Sequence, residues 1–302
     1  MRCSVIIPNY NYGAFIGGAI QSVLNQSIPA DEIIVVDDGS TDLSRSVIES
    51  FGSKIIPIFQ ENNGQASAIS NGFMKATGDI ILLLDSDDFF APNKIEIIKE
   101  LYSKNLDAKW VFHDLEEIDG KDIPHLKTIT LDTNLITKIN EQQSIQSGKL
   151  RYDAPATSGL SFRRDFMTDL FPLPTAQSIY ISDHYIKFYA LACGKGINLA
   201  QNLGGQLIHG NNLYTGQKEI ATRAKIFVNT ALALRKICPN TARFCNSLFV
   251  EGRASAMASS ISENIRPIVT EYTAELSPLE LLLIEAKTFL KTRRYRKSSS
   301  AK

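Results

Sequence analysis

Residues Ile80 to Leu84 form an unbroken apolar run between Gly78-Asp79 and Asp85-Ser86-Asp87-Asp88. Five residues are too few for a stable helix, and the lack of polar alternation predicts a strand covered on both faces, as in a parallel sheet. Such a strand needs helices above and below it, so this one run already narrows the fold to the α/β class. Three acids in four residues at its carboxyl end repel one another and resist desolvation, which requires either a partly hydrated turn or a bound cation. Open α/β sheets bind ligands beyond the carboxyl ends of their strands. A hard, oxygen-rich site for Mn2+ or Mg2+ holding a diphosphate fits that place. Capping by Asp88 or Asn93 of a helix that begins near Lys94 accounts for the same acids without a ligand.

The neighbouring segments repeat the theme. Cys3 to Ile7 reads as a short strand ended by Pro8 and the polar turn Asn9 to Gly13; Phe15, Ile16, Ala19, Ile20, Val23 and Leu24 then recur at helical spacing. Ile33 to Val36 is a second buried strand, ending in Asp37-Asp38-Gly39-Ser40, with Ser40 or Thr41 placed to cap the next helix. A strand over 55–59, a helix over 65–77 stopped by Gly78, a helix from Asn93 to about Lys104 and a strand over 110–112 follow. This order predicts a three-layer, doubly wound, mostly parallel sheet. Two parallel strands that both end in paired aspartates bring those pairs to one edge, which capping alone does not explain.

Beyond Asp114 the texture changes. Glu117 to Lys121 reads as a hairpin with an Asp-Gly turn, and 121–150 as a polar, variable, partly mobile excursion. A strand is expected at 156–162, a helix at 182–192, a strand at 205–208, and helices over 217–237, 240–264 and 277–291. The expected organisation is a strand-and-helix part over 1–114, a more variable part over 115–215 and a helical C-terminal extension over 216–302. The extension ends in a basic stretch, with seven Lys and Arg and no acid between Lys287 and Lys302. That stretch is either a solvated tail or a peripheral contact with an anionic membrane surface.

Composition excludes several classes. With 32 basic and 32 acidic residues the net charge is zero, which gives no support to a nucleic-acid partner. Cys3, Cys193, Cys238 and Cys245 lack metal-type spacing and read as reduced, structural thiols, which fits a cytoplasmic protein, at most at the inner face of the membrane. No signal peptide is expected, since Met1 leads directly into a strand, and no apolar run approaches the ~20 residues that span a bilayer.

The motifs, taken in order, resemble the inverting family-two glycosyltransferases of the GT-A fold. They are Pro8-Asn9-Tyr10-Asn11, the run Asp37 to Asp42, Asn62-Asn63-Gly64, Ala76-Thr77-Gly78-Asp79, and the Asp-x-Asp signature Asp85-Ser86-Asp87. The resemblance covers about residues 3–114, with weaker echoes to 215, and implies that 1–114 is the nucleotide-sugar-binding half and 115–215 the acceptor-binding half of one domain. It implies a Rossmann-like GT-A domain, a nucleotide-diphosphate-sugar donor (a UDP-sugar is expected), a divalent cation, and a saccharide or lipid-linked acceptor.

By the same resemblance Tyr10 lies against the nucleotide base with the Pro8 backbone beside it, and Asp38 accepts the base N–H. Asn63, Gly64, Asp85 and Ser86 belong to the nucleotide-sugar site, and Gly159 to the sugar pocket. Asp87, Asp88 and His209 are the expected metal residues, His209 either in that role or as a structural histidine. The base that takes the acceptor proton is Asp183, in Ser182-Asp183-His184, where the family usually has an acidic pair. A helix-capping role remains open for Asp183, as does a turn role for Tyr10. Two rival readings are a non-catalytic sugar-nucleotide-binding member, which Ser182 favours, and a sugar-phosphate nucleotidyltransferase. The second lacks the basic, glycine-rich loop expected after the first strand.

Overall fold

The computed structural model describes residues 1–119, 127–173, 183–209, 220–259 and 262–299. They fall into two compact units.

The first unit alternates strand and helix as the sequence predicts: β1 (Cys3–Asn9), α1 (Ile16–Leu24), β2 (Glu32–Asp37), α2 (Ser44–Ser50), β3 (Ile56–Phe59), α3 (Gln65–Lys75), β4 (Ile80–Leu83), β5 (Phe89–Phe90), α4 (Lys94–Lys104), β6 (Trp110–Asp119) and β7 (Ile136–Ile139). A short helix α5 (Gln142–Gln146) belongs to the second unit, and β8 (Leu160–Arg163) with α6 (Arg164–Met167) returns to the first. After α7 (Asp183–Cys193), again in the second unit, β9 (Gly196–Ile208) completes the sheet.

Among the described residues nine strands form one sheet, in the order β3-β2-β1-β4-β8-β6-β9-β5 with β7 also on β9. Strands β1 to β4 pair in parallel (Val5 opposite Ile33, Val5 opposite Leu82, Val35 opposite Pro57), so their carboxyl ends share one edge. β8 runs antiparallel to both β4 and β6. One face of the parallel part buries Cys3, Val5, Ile7, Val35, Leu82 and Leu84 with Ile16, Ile20 and Val23 of α1 and Ile95, Ile98 and Tyr102 of α4. On the other face α3 approaches Ile6 and Val36 closely at Gly72. Each fully buried leucine here contributes about 2–3 kcal/mol relative to an exposed one.

Pro8 lies inside β1 rather than ending it. The Ile6 carbonyl accepts from Leu84 N–H, so two residues on, the Pro8 nitrogen faces the same side, past the end of the β1–β4 register, where no ladder donor is needed. β6 and β9 are far longer than the strands expected at 110–112 and 205–208, and they pair in parallel with a register shift near Asp114. Glu117 and Ile118 therefore belong to a parallel ladder and not to a hairpin; Gly120 and Lys121 lie outside the described residues. The stretch expected to be a polar excursion contributes β7, antiparallel to β9, and α5.

The second unit holds α5, α7, α8 (Ile220–Ile237), α9 (Ala242–Ala258), α10 (Arg266–Ala274) and α11 (Pro278–Ser299). The expected C-terminal extension is thus joined by α5 and α7, and α10 is a helix the sequence reading did not separate. Phe249 stacks on Tyr272 at 4.1 Å, and Tyr272 Oη donates to Asn246 at 2.7 Å. Cys193 and Cys238 bring their thiols within 2.6 Å of each other, and none of the four cysteines is in a disulfide. Ser277-Pro278-Leu279-Glu280 is a capping box: Ser277 N–H donates to Glu280 and Glu280 N–H to Ser277 Oγ. Among the described residues no helix is long and apolar enough to cross a membrane.

Candidate active site

The carboxyl ends of β1, β2 and β4 carry the motifs, and each is fixed by side chains distant in sequence. Asp37 accepts from Asn9 Nδ2 at 2.7 Å and from Ser40 Oγ at 2.5 Å, so it braces the first turn. Asn11, at φ +58°, donates its N–H to Ser40 Oγ and accepts from Thr41 N–H. Asp42, and not Ser40 or Thr41, serves the start of α2: its oxygens accept from Ser44 N–H at 2.9 Å and Gly13 N–H at 2.8 Å. Burial opposes ionisation of Asp42, but these donors outweigh it and hold the carboxyl below its usual range. Tyr10 projects from the same turn, 41% exposed.

Asp38 binds the neighbouring loop. Its Oδ1 accepts from Asn63 N–H at 2.8 Å and Gln60 Nε2 at 2.7 Å, and its Oδ2 accepts from Gly64 N–H at 2.8 Å. Three of about four acceptor directions of the carboxylate are thus taken, leaving one. Gly39 has φ +73°, and a Cβ there would stand 2.8 Å from Asn62 N, so only glycine lets the two loops meet.

At the end of β4 the acids separate into different environments. Asp85 accepts from Gln65 Nε2 at 3.0 Å, and its N–H donates to Ser158 Oγ. Ser86 is buried. Asp87 Oδ2 lies 3.1 Å from His209 Nε2, and the His209 ring stacks on Phe15 at 4.5 Å with Tyr12 edge-on at 5.8 Å. Asp88 is fully buried; Ser158 Oγ donates to its Oδ2 at 2.5 Å and Leu207 N–H to its Oδ1 at 3.1 Å. Burial first, and the Asp87 charge second, push Asp88 up to about 7. Asp88 therefore ties β4 to the segment that delivers His209, two residues after Leu207.

The sequence reading missed the cation beneath this cluster. Lys94, at the start of α4, is fully buried; its Nζ donates to Ser158 O at 2.6 Å and sits 3.6 Å from the Phe90 ring centre. Burial drives its ammonium well below the usual range, against the pull of Asp88. A lysine in the first turn opposes the helix dipole, and that conflict beside three acids was the available signal. Gly159 serves close approach, since a Cβ would stand 2.5 Å from His113 O and 2.8 Å from Pro155.

Asp183 opens α7 in the second unit. His184 Nδ1 lies 2.9 Å from its Oδ1 and Lys187 Nζ 2.8 Å from its Oδ2. Burial works against its charge, but Lys187 and then His184 outweigh it and hold the carboxyl far below its ordinary range. Ser182 lies outside the described residues. The structure thus gathers Pro8, Tyr10, Asp38, Asn63, Gly64, Asp85, Ser86, Asp87, Asp88, Gly159 and His209 in one unit and gives Asp183 to the other.

Tested as a cation site, the rim offers one carboxylate, a hard ligand that suits Mn2+ or Mg2+, in contact with one imidazole, a borderline ligand. No cluster of three His, Cys, Asp or Glu in binding position occurs among the described residues. A cation held by these two side chains would need further ligands from outside the chain.

Comparison with known proteins agrees with this architecture. The sequence model of "Glycosyl transferase family 2" matches residues 4–166. An uncharacterized glycosyltransferase of Nostoc sp. is 38% identical over 239 residues, covering 75% of this chain and 72% of that protein. One from Haemophilus influenzae is 30% identical over 239 residues, covering 74% and 92%. Among solved structures, S. aureus TarS 1-349 in complex with UDP-GlcNAc aligns with a TM-score of 0.66 at 16% identity, covering 100% of this chain and 92% of that one. The mannosyltransferase PcManGT from Pyrobaculum calidifontis, in complex with GDP-Man and Mn2+, gives 0.51 at 15% identity, covering 96% and 86%. With its sheet order, its acidic rim and these relatives in agreement, the chain belongs to glycosyltransferase family 2 and has the GT-A fold.

Proposed function

We propose that this glycosyltransferase is metal-dependent and inverting, and moves a sugar from a nucleotide diphosphate to an acceptor hydroxyl. The observation that carries this reading is the Asp87–His209 contact at the carboxyl edge of the parallel strands, 3.1 Å across and walled by Phe15 and Tyr12. Asp87 and His209 would hold Mn2+ or Mg2+, with Asp85 on the donor side. Bound there, the cation supplies charge stabilisation to the departing diphosphate. Solved relatives in complex with UDP-GlcNAc, UDP and GDP-Man favour a nucleotide-sugar donor, and a UDP-sugar is the first to test.

Tyr10 offers its ring to the base beside the Pro8 backbone. Asp38 gives its remaining acceptor direction to a base N–H while it fixes Asn63 and Gly64. Asp88 orients the two sides of the metal pair through Ser158 and Leu207 and is not itself a ligand in this proposal. Asp183 takes the acceptor proton; Lys187 and His184 keep it ionised, and the same pairing weakens it as a base. Direct displacement with Asp183 as base inverts the anomeric centre. Polysaccharide or glycolipid assembly is the proposed setting.

The test uses purified protein, Mn2+ and a panel of UDP- and GDP-sugars, reading nucleoside-diphosphate release and nucleotide affinity. Asp87→Ala and Asp183→Ala should each lower transfer at least about 10³-fold, with nucleotide–Mn2+ affinity lost only in Asp87→Ala. Full turnover in EDTA, or equal loss of nucleotide affinity in both variants, overturns the assignment.

A further inference from the structure

Helix α11 is amphipathic in the inverted sense. Its inward side, against α9, consists of Ile284, Thr288 and Thr292, all buried, with the Thr288 hydroxyl among the buried groups lacking a partner. Its orientation is fixed on that side: Arg253 of α9 pairs with Glu285 at 2.6 Å, Glu251 meets Lys291 and Tyr295, and Arg296 donates to Met257 O. Leu281 is half-buried on that inward side, and the other leucines and the phenylalanine lie on the far side. Leu279, Leu282, Leu283, Phe289 and Leu290 are each at least half exposed, and their spacing of three, one, six and one puts them on one stripe opposite the threonines. Over twelve residues this stripe runs about 18 Å. Exposed Arg293, Arg294 and Lys297 continue it toward the C-terminus, in a stretch without acids from Lys287 onward.

Isolated exposed leucines are ordinary, but a contiguous stripe on a clamped helix marks a contact surface. Charge identifies the occupant. A second copy of the chain would have to offer acids to the arginines, yet the acids of this helix are engaged at home: Glu280 by Arg235 and Ser277, Glu285 by Arg253. A bilayer with anionic headgroups supplies both an apolar layer for the leucines and negative charge for the arginines. We propose that α11 is an interfacial helix that docks this unit on an anionic membrane surface through Leu279, Leu282, Leu283, Phe289 and Leu290, with Arg293, Arg294 and Lys297 at the headgroups. Sugar transfer is not required for this contact, so its test is independent of the proposed reaction.

The test is co-sedimentation of the full chain with phosphatidylcholine vesicles, alone or with phosphatidylglycerol added to make the surface anionic. Two variants are compared: one with Leu282→Ser, Leu283→Ser, Phe289→Ser and Leu290→Ser, the other with Arg293→Glu and Arg294→Glu. The expected result is at least about tenfold greater partitioning onto the anionic vesicles, weakened by salt and lost in both variants, with unchanged melting temperature. No partitioning, or equal partitioning by the variants, overturns the proposal. A dimer in sedimentation equilibrium that the serine set dissolves, with vesicles leaving the protein in solution, gives the stripe to a second copy and also overturns it.

Discussion

The two units handle side chains in opposite ways. Around β1, β2 and β4, charge is taken inside: Asp37, Asp38, Asp88 and Lys94 are all buried, each held by groups many residues away. Around α11, apolar side chains are left outside while threonines go in. Buried charge is costly unless it is fully bonded, so the first arrangement exists to place groups with fixed geometry. Exposed leucine is tolerated singly, so the second points to something that covers it. One unit spends stability on position, and the other keeps an adhesive face.

Substituting matched leucines sharpens that contrast most. Leu82→Ala in β4 should cost about 3 kcal/mol by urea unfolding, because the site is closed on both faces. Leu282→Ala should change stability by no more than about 0.5 kcal/mol. Similar costs would mean that α11 is covered within the folded chain. Next in size, Lys94→Met should cost about 2 kcal/mol, since it leaves the buried Ser158 O without its donor. A neutral result would mean that the buried lysine positions without stabilising, which breaks the first half of the comparison.

The smallest effect concerns Glu280. The Ser277 N–H foremost, and Arg235 after burial's opposing push, bring its carboxyl down to about 2. Because the folded value lies below the ordinary one of about 4.5, its contribution is complete above pH 4.5 and fades as pH falls toward 2. Partial exposure limits it to about 1 kcal/mol. Glu280→Gln should therefore unfold at lower urea than the parent at pH 7, with the gap narrowing by pH 3. A constant gap would assign the effect to shape rather than charge.

How far the sequence could be read follows from the range of the interactions. Strand β4 is apolar for its whole length, β1 and β2 are apolar over Val5 to Ile7 and Ile33 to Val36, and the acids follow β2 and β4 directly in the chain, so both fold and rim are local in sequence. β9 is not: Asn198, Gln201 and Asn202 interrupt it, and only its pairing with β6, β5 and β7 makes it a strand. The division of labour among Asp85, Asp87 and Asp88 was equally hidden, because it depends on Ser158, Leu207 and His209, between 70 and 122 residues away. Asp42 shows the converse, a cap chosen one or two residues too early because serine, threonine and aspartate are nearly interchangeable there. The placement of α7 with the helices rather than with the sheet domain has no local signal at all.

Gly39 carries a consequence for redesign. With its missing Cβ standing against Asn62 N, and Asp38 gripping the next two amides, segments 37–42 and 61–64 interlock like a key and its ward. Grafting either one alone from a relative would import a mismatch of tenths of an ångström into the wall beside Tyr10. Attempts to retune the base preference proposed for this turn should exchange both segments as a single cassette.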